Sequence, residues 1–369
     1  MIKILFVVGT RPEAIKMAPV VIEAKKHPSK IKPVLCVTGQ HRQMVDSVLP
    51  LFRLRADVDL NLMQKNQTLS SLTSRLIDSL TAVCRKLQPD WIVAQGDTTT
   101  TMAASLVAFY ARIRFAHVEA GLRTGNLDHP FPEEANRRIA DLLTSLAFAP
   151  TRRNCEALIN EGVPAKNILI TGNTVVDALR FVSRLPYRWD KGPLSSLPSG
   201  RRLVLVTAHR RESFGGTFRQ MCLALRELAG RRAGKVHFVY PVHPNPNVYG
   251  PAHEILGRAP NISLLAPLDY PSLVNLMAKA ALVLTDSGGI QEEAPTFGVP
   301  VLVMRETTER PEGIEAGVCK LVGTSRQRIL REASRVLSGL DKKRKKAIAN
   351  PYGDGRASVR IIREIIRRA

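Results

Sequence analysis

The sequence lacks the cysteine pattern of a disulfide framework or of a zinc site. Its cysteines are odd in number, and no two of them form a Cys-x-x-Cys motif: Cys36, Cys84, Cys155, Cys222 and Cys319. Scattered single cysteines of this kind are usually small buried hydrophobic side chains in a reducing compartment. We therefore expect neither structural disulfides nor a cysteine-bound metal.

Long hydrophobic runs are also missing. No apolar stretch approaches the ~20 residues that a membrane-spanning helix needs, so a membrane protein is not expected. The apolar run at residues 1–9 is short, and the charged residues Arg11, Glu13 and Lys16 follow it without a small-residue cleavage site. We predict that this run is the first strand of a cytoplasmic protein and not a signal peptide.

Acidic residues are few relative to basic ones. The chain has 54 Lys and Arg against 32 Asp and Glu, which gives a formal net charge of +22 and suggests an acidic partner. Aromatic residues make up only 5% of the chain, so stacking platforms for single-stranded nucleic acid are scarce, and no recognisable nucleic-acid module is present. The densest basic run, at 342–346, is typical of a solvated helix face. A nucleotide substrate would need only a few of these cations, so we interpret the excess charge as mostly background, with incidental affinity for polyanions and no specific nucleic-acid partner.

The chain alternates short apolar runs with longer helical patterns. Runs rich in Val, Ile and Leu favour parallel strands that are covered on both faces by helices. The predicted strands are 3–8, 33–38, 91–94, 114–118, 146–149, 168–171, 202–207, 236–241, 262–266, 281–285, 300–304 and 318–322. This alternation of strands and helices, together with the length of the chain, predicts an α/β protein of two doubly wound Rossmann-like domains.

The sequence offers two candidate positions for the domain boundary. The segment 186–200, rich in Pro, Gly and Ser, has the strongest loop composition in the chain. The alternative is a crossover near 171–173, followed by a helix over 175–185. We place the boundary at 170/171, and we predict an amphipathic helix at the C-terminal end of the chain from its apolar residues at helical spacing.

Three acidic residues directly follow apolar runs in the first half of the chain. Asp97 and Glu119 follow two predicted strands, and Glu133 lies at the start of a predicted helix. Because ligands of parallel α/β sheets bind outside the carboxyl ends of the strands, these acids are candidates for general acid–base catalysis. Asp97 could instead cap the helix that begins in the following run of threonines, and His117 could line the site or lie in the core.

The helix after residue 132 carries two acid–arginine pairs at a spacing of four. Glu133 and Arg137 form one pair, and Glu134 and Arg138 form the other. The simplest interpretation is two ion pairs on a helix face, each stabilising by a few tenths of a kcal/mol. The alternative is that one pair faces the site, where the arginine orients the glutamate.

The groups that could bind an anion lie in both halves. The three-glycine dinucleotide fingerprint is absent after the first strand, where Arg11 and Lys16 occur instead and could grip a phosphate. In the second half, His209 follows one predicted strand, and a bare Ser-Gly-Gly turn opens a helix after another. The candidate ligands for a nucleotide diphosphate and its ribose in this half are His209, Ser287, Gly288, Gly289, Glu293 and Arg310. A cleft between the two domains would bring the acids and the diphosphate site together, which favours nucleotide-sugar chemistry over hydride transfer.

The residues in these segments closely resemble the non-hydrolysing UDP-N-acetylglucosamine 2-epimerases. The matching motifs occur in order over nearly the whole chain: GTRPEAIKMAP from Gly9, GDTTTT from Gly96, HVEAGLRTG from His117, PEEANR from Pro132, TGNTVVDAL from Thr171, HRRESFG from His209, DSGGIQEEAP from Asp286, TTERPE from Thr307 and NPYGDG from Asn350. The resemblance implies a glycosyltransferase-B-type fold with an active-site cleft between domains 1–170 and 171–356. It also implies a homodimer, and a final helix at 357–369 that packs back on the first domain.

The resemblance also implies the reaction and the roles of the residues. UDP-N-acetylglucosamine and UDP-N-acetylmannosamine would interconvert through elimination and re-addition of UDP, without a redox cofactor or metal, to supply surface polysaccharide. Asp97, Glu119 and Glu133 would be the acid–base groups, and His209 and Arg11 would stabilise the departing diphosphate. The residues that would bind substrate or order the site are Lys16, Arg123, Arg137, Ser287, Gly288, Gly289, Glu293 and Arg310. The rival functions are a hydrolysing epimerase, a glycosyltransferase of the same fold and a polyanion-binding protein.

Overall fold

The computed structural model describes residues 1–39, 48–64, 66–339 and 348–369. The chain divides into two compact units, which we call the N-terminal unit (residues 1–181 and 352–369) and the C-terminal unit (residues 182–351). The basic run predicted at 342–346 lies outside the described residues. No helix in the described part of the chain combines the length and the apolarity needed to cross a membrane.

A parallel sheet, with seven strands among the residues that the structure describes, forms the centre of the N-terminal unit in the order β3-β2-β1-β4-β5-β6-β7. Its strands are β1 (Ile2–Val8), β2 (Ile31–Val37), β3 (Val58–Asp59), β4 (Trp91–Gln95), β5 (Arg114–Val118), β6 (Leu146–Ala149) and β7 (Ile168–Ile170). The register places Phe6 of β1 opposite Leu35 of β2 and Val93 of β4. The strand order reverses at β1, and a ligand site is expected beyond the carboxyl ends of the strands at such a switch point.

The helices of the N-terminal unit connect these strands and cover the sheet. They are α1 (Arg11–Lys25), α2 (Leu69–Leu87), α3 (Thr99–Tyr110), α4 (Glu133–Leu142), α5 (Arg152–Asn160), α6 (Thr174–Val182) and the terminal helix α13 (Ala357–Arg367). Apolar residues of β1, β4 and β5, such as Leu5, Ile92 and Phe115, pack with the helices in one core. Burial of both faces of the central strands explains their continuous apolar sequences.

A second parallel sheet, of six strands among the described residues, forms the C-terminal unit in the order β10-β9-β8-β11-β12-β13. Its strands are β8 (Arg202–Thr207), β9 (Val236–Pro241), β10 (Ile262–Leu265), β11 (Ala280–Thr285), β12 (Val301–Val303) and β13 (Cys319–Leu321). Its helices are α7 (Gly216–Arg231), α8 (Pro246–Leu256), α9 (Tyr270–Lys279), α10 (Gly288–Glu293), α11 (Pro311–Glu315) and α12 (Arg326–Gly339). Two apolar clusters pack in this unit, one including Val204 and Phe238 and the other Leu205 and Val239. The prediction of two doubly wound α/β sheets is confirmed.

The two units separate within α6, after residue 181, whereas the predicted boundary at 170/171 precedes that helix. A buried carboxylate ties α6 to the terminal helix. The backbone N–H groups of Ala357 and Ser358 donate to Asp177 at 3.2 and 2.9 Å, and the Ser358 hydroxyl donates at 2.5 Å. Helix α13 in turn packs on α1. These contacts hold α6 and α13 in the N-terminal unit, which resumes at residue 352.

Candidate active site

The sheet of the N-terminal unit brings the predicted acids to neighbouring strand ends. Glu119 directly follows β5, and Asp97 lies two residues beyond β4. Because β1, β4 and β5 are adjacent and parallel, their carboxyl ends meet at one edge. Helix α1, which follows β1, starts at Arg11 and carries Lys16 at the same edge. Within this unit, the strand ends therefore place Asp97 and Glu119 at one edge of the sheet, together with Lys16.

Glu119 is held by two donors from neighbouring elements. Lys16 Nζ lies 2.7 and 2.6 Å from Glu119 Oε1 and Oε2, and Gln95 Nε2 donates to Oε2 at 2.7 Å. The Glu119 side chain is only 8% exposed. Its backbone has φ +65°, a left-handed conformation that non-glycine residues adopt uncommonly. Such conformations cluster at functional sites, so the ion pair and the backbone together mark Glu119 as a functional candidate.

Asp97 is held by the guanidinium group of Arg137. Arg137 Nε and Nη2 donate to Asp97 Oδ2 at 3.0 and 2.7 Å, and Asn136 Nδ2 donates to the Asp97 carbonyl at 2.9 Å. Asp97 does not cap the following helix, because Thr98 is the N-cap of α3 and accepts from Thr101 N–H at 3.3 Å. The Asp97 side chain remains 29% exposed, so its position is fixed while solvent and ligand still have access to it.

The two acid–arginine pairs of α4 differ from the simple helix-face interpretation. Arg138 lies 3.5 Å from Glu134, as the spacing predicts. Arg137, however, turns to Asp97 and also donates to Glu134 at 3.1 Å, so the spacing of four does not pair it with Glu133. Burial raises the pKa of Glu134, but the N–H groups of Thr124 and Gly125 and the Arg137 guanidinium outweigh burial and hold this pKa below its usual range.

Glu133 is the first residue of α4, and its Oε2 atom is buried. Within the described residues this oxygen has no hydrogen-bond partner. Buried polar atoms without a partner are rare in folded proteins, because desolvation costs about 1–3 kcal/mol when no hydrogen bond replaces water. An acid of this kind is a candidate for contact with a ligand, although the structure does not bring it into a hydrogen bond with Asp97 or Glu119.

Glu13 was not among the predicted site residues, although the sequence carries a signal for its position. Thr10 and Glu13 have the spacing of a capping box, in which the acid at the third helical position bonds back to the start of the helix. Glu13 accepts from the N–H groups of Gly9 and Thr10 at 3.0 and 2.6 Å and from the Thr98 hydroxyl at 2.6 Å. Burial raises the pKa of Glu13 despite these hydrogen bonds. The carboxylate therefore joins the turn after β1 to the turn that carries Asp97.

Arg123 does not offer a free guanidinium in this structure. Its Nη2 atom lies 2.7 Å from Asp141 Oδ2 and 2.5 Å from Glu161 Oε2, and its Nε donates to Glu161 Oε1 at 2.8 Å. Asp141, on α4, also lies 2.5 Å from the buried imidazole of His117. Sequence analysis left His117 between the core and the site and did not single out Asp141, because their contact joins two elements 24 residues apart.

In the C-terminal unit, Asp286 organises the segment that begins with His209. Asp286 Oδ2 accepts from the N–H groups of His209 and Arg210 at 2.7 and 2.8 Å, and His209 Nδ1 lies 3.7 Å from Asp286 Oδ1. The His209 ring stacks on His243, with centroids 5.6 Å apart. Burial lowers the pKa of His209, Asp286 opposes this effect, and His243 and Arg210 add to the lowering.

The predicted Ser-Gly-Gly turn does open a helix, and arginines surround it. Ser287 precedes α10, and a Cβ atom at Gly288 would lie 3.5 Å from Arg210 Nη2 and 3.9 Å from Arg310 Nη2. Gly289 faces Glu293, whose Oε1 would lie 3.4 Å from a Cβ atom there. Glu292 forms an ion pair with Arg310. The glycine backbone, which has no side chain to block a ligand, and the guanidinium groups of Arg210 and Arg310 make this end of the sheet a candidate anion-binding site.

The described residues contain no group of three or more His, Cys, Asp and Glu side chains that could hold a metal ion. The acids of the N-terminal unit are instead bound to Lys16, Arg137 and Arg123. Cations in these positions keep carboxylates oriented, which suits proton transfer.

Two doubly wound parallel sheets define an α/β protein of the Rossmann-like class, in which ligands bind beyond the carboxyl ends of the strands. A family model described as UDP-N-acetylglucosamine 2-epimerase matches residues 22–366. The chain belongs to this family.

Individual relatives agree with this assignment over the full length of the chain. The UDP-N-acetylglucosamine 2-epimerase of Salmonella typhimurium is 49% identical over 370 residues, which cover 98% of each chain. The Escherichia coli K12 enzyme of the same name is 48% identical over 367 residues, 98% of this chain and 97% of the relative. The crystal structure of UDP-GlcNAc 2-epimerase from Neisseria meningitidis bound to UDP-GlcNAc has a TM-score of 0.88 and 44% identity, and covers 99% of this chain and 100% of its own.

Proposed function

We propose that this protein interconverts UDP-N-acetylglucosamine and UDP-N-acetylmannosamine without hydrolysing either. The observation that carries this proposal is the pair of fixed carboxylates, Glu119 on Lys16 and Asp97 on Arg137, at adjacent strand ends in a member of this family. The Neisseria meningitidis relative binds UDP-GlcNAc, which supports the choice of substrate.

Elimination explains how carbon 2 can be inverted without a redox cofactor. The proton on carbon 2 is not next to a carbonyl group, so simple deprotonation would leave an unstabilised carbanion. Loss of UDP from carbon 1 during proton removal avoids this problem. The C2–H and C1–O bonds break, a C1–C2 double bond forms, the proton goes to an enzyme base, and UDP leaves with the bonding electrons. UDP then adds back to the 2-acetamidoglucal while an acid protonates the other face of carbon 2.

The N-terminal unit would supply the proton-transfer groups. Asp97, Glu119 and Glu133 are the candidates, and two of them would act on opposite faces of carbon 2. Lys16 would order Glu119 and Arg137 would order Asp97, since these pairs already form ion pairs. Arg123 would order the site through its ion pair with Asp141. A fixed carboxylate loses little orientational freedom when it reacts, which favours a well-aligned proton transfer.

The C-terminal unit would bind the UDP part of the same substrate. The backbone of Ser287, Gly288 and Gly289 with Arg310 would hold the diphosphate, and Glu293 would accept hydrogen bonds from the ribose hydroxyls. His209 would stabilise the negative charge that develops as UDP leaves, and Arg11 is the candidate for the same role in the N-terminal unit. Donors placed where charge develops are usually the largest single contribution to catalysis of this kind.

Incubation of the purified protein with UDP-N-acetylglucosamine in heavy water, without cofactor or acceptor, tests the proposal. We expect both UDP-sugars to acquire deuterium at carbon 2 as turnover proceeds. Glu119→Gln should abolish the exchange, whereas the exposed Glu156→Gln should match the wild type.

The products separate the rival activities in the same experiment. Free N-acetylmannosamine that accumulates with UDP would indicate a hydrolysing epimerase. Turnover that begins only after an acceptor is added would indicate a glycosyltransferase. Epimers without deuterium would contradict elimination with a solvent-exchanging base.

We further propose that the protein is a cytoplasmic homodimer that supplies surface polysaccharide synthesis. Exposed apolar side chains at the ends of two packed helices support the dimer: Phe109 and Tyr110 of α3 are 61% and 70% exposed, and Leu142 of α4 is 78% exposed. Exposed apolar patches commonly mark protein interfaces. Light scattering after size-exclusion chromatography should give twice the chain mass of 40.7 kDa, and Tyr110→Asp combined with Leu142→Asp should shift it toward the monomer.

A further inference from the structure

His117 contacts a carbonyl oxygen, which only accepts hydrogen bonds, and a carboxyl oxygen, which only accepts them when the carboxyl group is ionised. Its side chain is 1% exposed on β5, with Nδ1 at 2.5 Å from Asp141 Oδ1 and Nε2 at 2.7 Å from the carbonyl oxygen of Gly96. A neutral imidazole carries one N–H group and one acceptor nitrogen, whereas an imidazolium donates from both. The contact with the Gly96 carbonyl requires an N–H at Nε2, and the contact with the Asp141 carboxylate requires one at Nδ1.

The surroundings of Asp141 indicate that this carboxylate is ionised. Its Oδ2 atom accepts from Arg123 Nη2 at 2.7 Å and from the N–H of Gly121 at 3.2 Å, and Oδ1 faces His117. Burial raises the pKa of Asp141, but His117 and Arg123 outweigh burial and hold it below its usual range. Burial lowers the pKa of His117 and Arg123 lowers it too, whereas Asp141 and the Gly96 carbonyl raise it, with a net rise. His117, Arg123 and the Asp141 carboxylate form a network whose donors and acceptors are all matched when the imidazole donates from both nitrogens.

This network joins three segments that carry the proposed acids. Gly96 directly precedes Asp97, and Gly121 follows Glu119 by two residues. Asp141 lies on α4, the helix that carries Glu133 and Arg137. The imidazole of His117 therefore links the Gly96 carbonyl oxygen to the Asp141 carboxylate on α4. The same carboxylate accepts from the N–H of Gly121.

We propose that His117 is a positioning residue that works as a permanent imidazolium and, with Asp141, holds the strand ends carrying Asp97 and Glu119 at the spacing that the reaction requires. This inference rests on the proposed function for its effect on turnover, but the charge of His117 can be tested without it. Neither His117 nor Asp141 contacts the substrate in this proposal. The competing interpretation is a neutral core histidine that contributes to stability alone.

The charge state is measured first, on the wild-type protein with ¹⁵N-labelled histidine. The chain has eight histidines, and the spectrum of His117→Gln assigns the signal that is lost. We expect both ring nitrogens of His117 to show protonated shifts that stay constant from about pH 6 to pH 9, whereas an ordinary histidine titrates near ~6.5. A His117 signal that titrates in this range, or that shows a neutral tautomer at pH 7, would overturn the proposal.

Turnover is measured next, on folded His117→Gln and Asp141→Asn proteins. We expect kcat to fall by about 10- to 100-fold, with KM changed less than about threefold, because the reacting groups move while the UDP ligands of the C-terminal unit do not. The matched control is His237→Gln, which replaces another buried histidine, 5% exposed and bonded to Ser263 in the C-terminal unit, and should keep the wild-type kcat.

The two arms distinguish failure of this inference from failure of the proposed function. If the wild type forms no epimer, the proposed function fails, and the nitrogen shifts still decide whether His117 is an imidazolium. If the wild type is active and folded His117→Gln keeps its kcat while only its melting temperature falls, His117 is a structural residue and the inference is wrong. If neither variant folds, the wild-type spectrum is searched for any histidine with both ring nitrogens protonated from about pH 6 to pH 9, and the absence of such a histidine overturns the inference.

Discussion

Lys16 of α1 binds both carboxylate oxygens of Glu119, a residue 103 positions later in the sequence, at 2.7 and 2.6 Å. The contact exists because β1 and β5 flank β4, so that the helix after β1 reaches the residue after β5. Gln95, the last residue of β4, completes the arrangement from the strand between them. Glu119, which follows β5, is thus fixed by one side chain from the helix after β1 and by one from the end of β4.

The Lys16–Glu119 pair should show a strong energetic coupling in a double-mutant cycle. The two side chains are only 17% and 8% exposed, so Lys16→Met leaves a buried carboxylate without its cation. Removal of one partner of a buried pair costs roughly 3–5 kcal/mol, and we expect the free energy of unfolding to fall by about 3 kcal/mol because this pair is not fully buried. Urea denaturation of Lys16→Met, Glu119→Gln and the double variant should give a coupling of about 1–3 kcal/mol.

An exposed ion pair provides the control for this cycle. Arg219 and Glu254 form two hydrogen bonds at 2.7 and 2.6 Å, yet their side chains are 45% and 59% exposed. Because water screens exposed pairs, the cycle of Arg219→Met and Glu254→Gln should give a clearly smaller coupling. Equal couplings in the two cycles would show that burial does not strengthen the Lys16–Glu119 pair.

Arg137 should be essential for turnover, whereas its neighbour Arg138 should not. Arg137 donates to Asp97 through Nε and Nη2 and to Glu134 through Nη1, a fork that lysine cannot reproduce. We expect Arg137→Lys to lower kcat by about 100-fold through misplacement of Asp97. Arg138→Lys, at a side chain 42% exposed and 3.5 Å from Glu134, should keep kcat within about twofold. Initial rates of epimer formation measure both, and equal losses would mean that the contact with Asp97 has no catalytic value.

Local sequence features predicted the sheets and the order of the acids, but they could not predict the partners of these acids. Strands such as β8 and β9 have the predicted bounds because their runs are apolar on both faces. The strand β3 (Val58–Asp59) was not predicted, since two residues are too few to show a pattern. The spacing of four suggested Glu133 as the ion-pair partner of Arg137, but in the structure Arg137 binds Asp97, which is 40 residues away in the sequence. The Asp177 contacts that hold α6 against the terminal helix join residues 180 or more positions apart in the sequence. A local sequence pattern cannot predict contacts at such a separation.

His209 should take up a proton when the nucleotide sugar binds. Its pKa is lowered chiefly by burial, so the free imidazole is largely neutral at pH 7. If His209 contacts the diphosphate, the negative charge favours the imidazolium, and its pKa rises on binding. Binding should therefore take up a fraction of a proton near pH 7 and tighten as pH falls toward the lowered pKa of the free imidazole.

Calorimetry in buffers of different ionisation enthalpy measures this proton uptake. The titrant is UDP-N-acetylglucosamine, whose diphosphate, unlike a terminal phosphate, has no group that titrates near pH ~6. The Glu119→Gln background prevents turnover during the titration. Addition of His209→Asn should remove the uptake. Uptake that persists in that variant would assign the proton to another group and would remove His209 from the diphosphate site.

Gly121, two residues after Glu119, should not tolerate a side chain, whereas Gly162 should. Both have positive φ, +86° and +90°, so alanine adds backbone strain of about 1–2 kcal/mol at each. A Cβ atom at Gly121 would also lie 2.3 Å from the carbonyl oxygen of Asn154, but no atom lies within 4 Å of a Cβ at Gly162. We expect Gly121→Ala to lower the free energy of unfolding by at least about 2 kcal/mol more than Gly162→Ala, measured by urea denaturation.

Because the same segment carries Glu119 and the N–H that binds Asp141, kcat should fall in Gly121→Ala and remain at the wild-type value in Gly162→Ala. Equal stability and turnover in the two variants would show that the backbone around Glu119 can shift without effect on the acid.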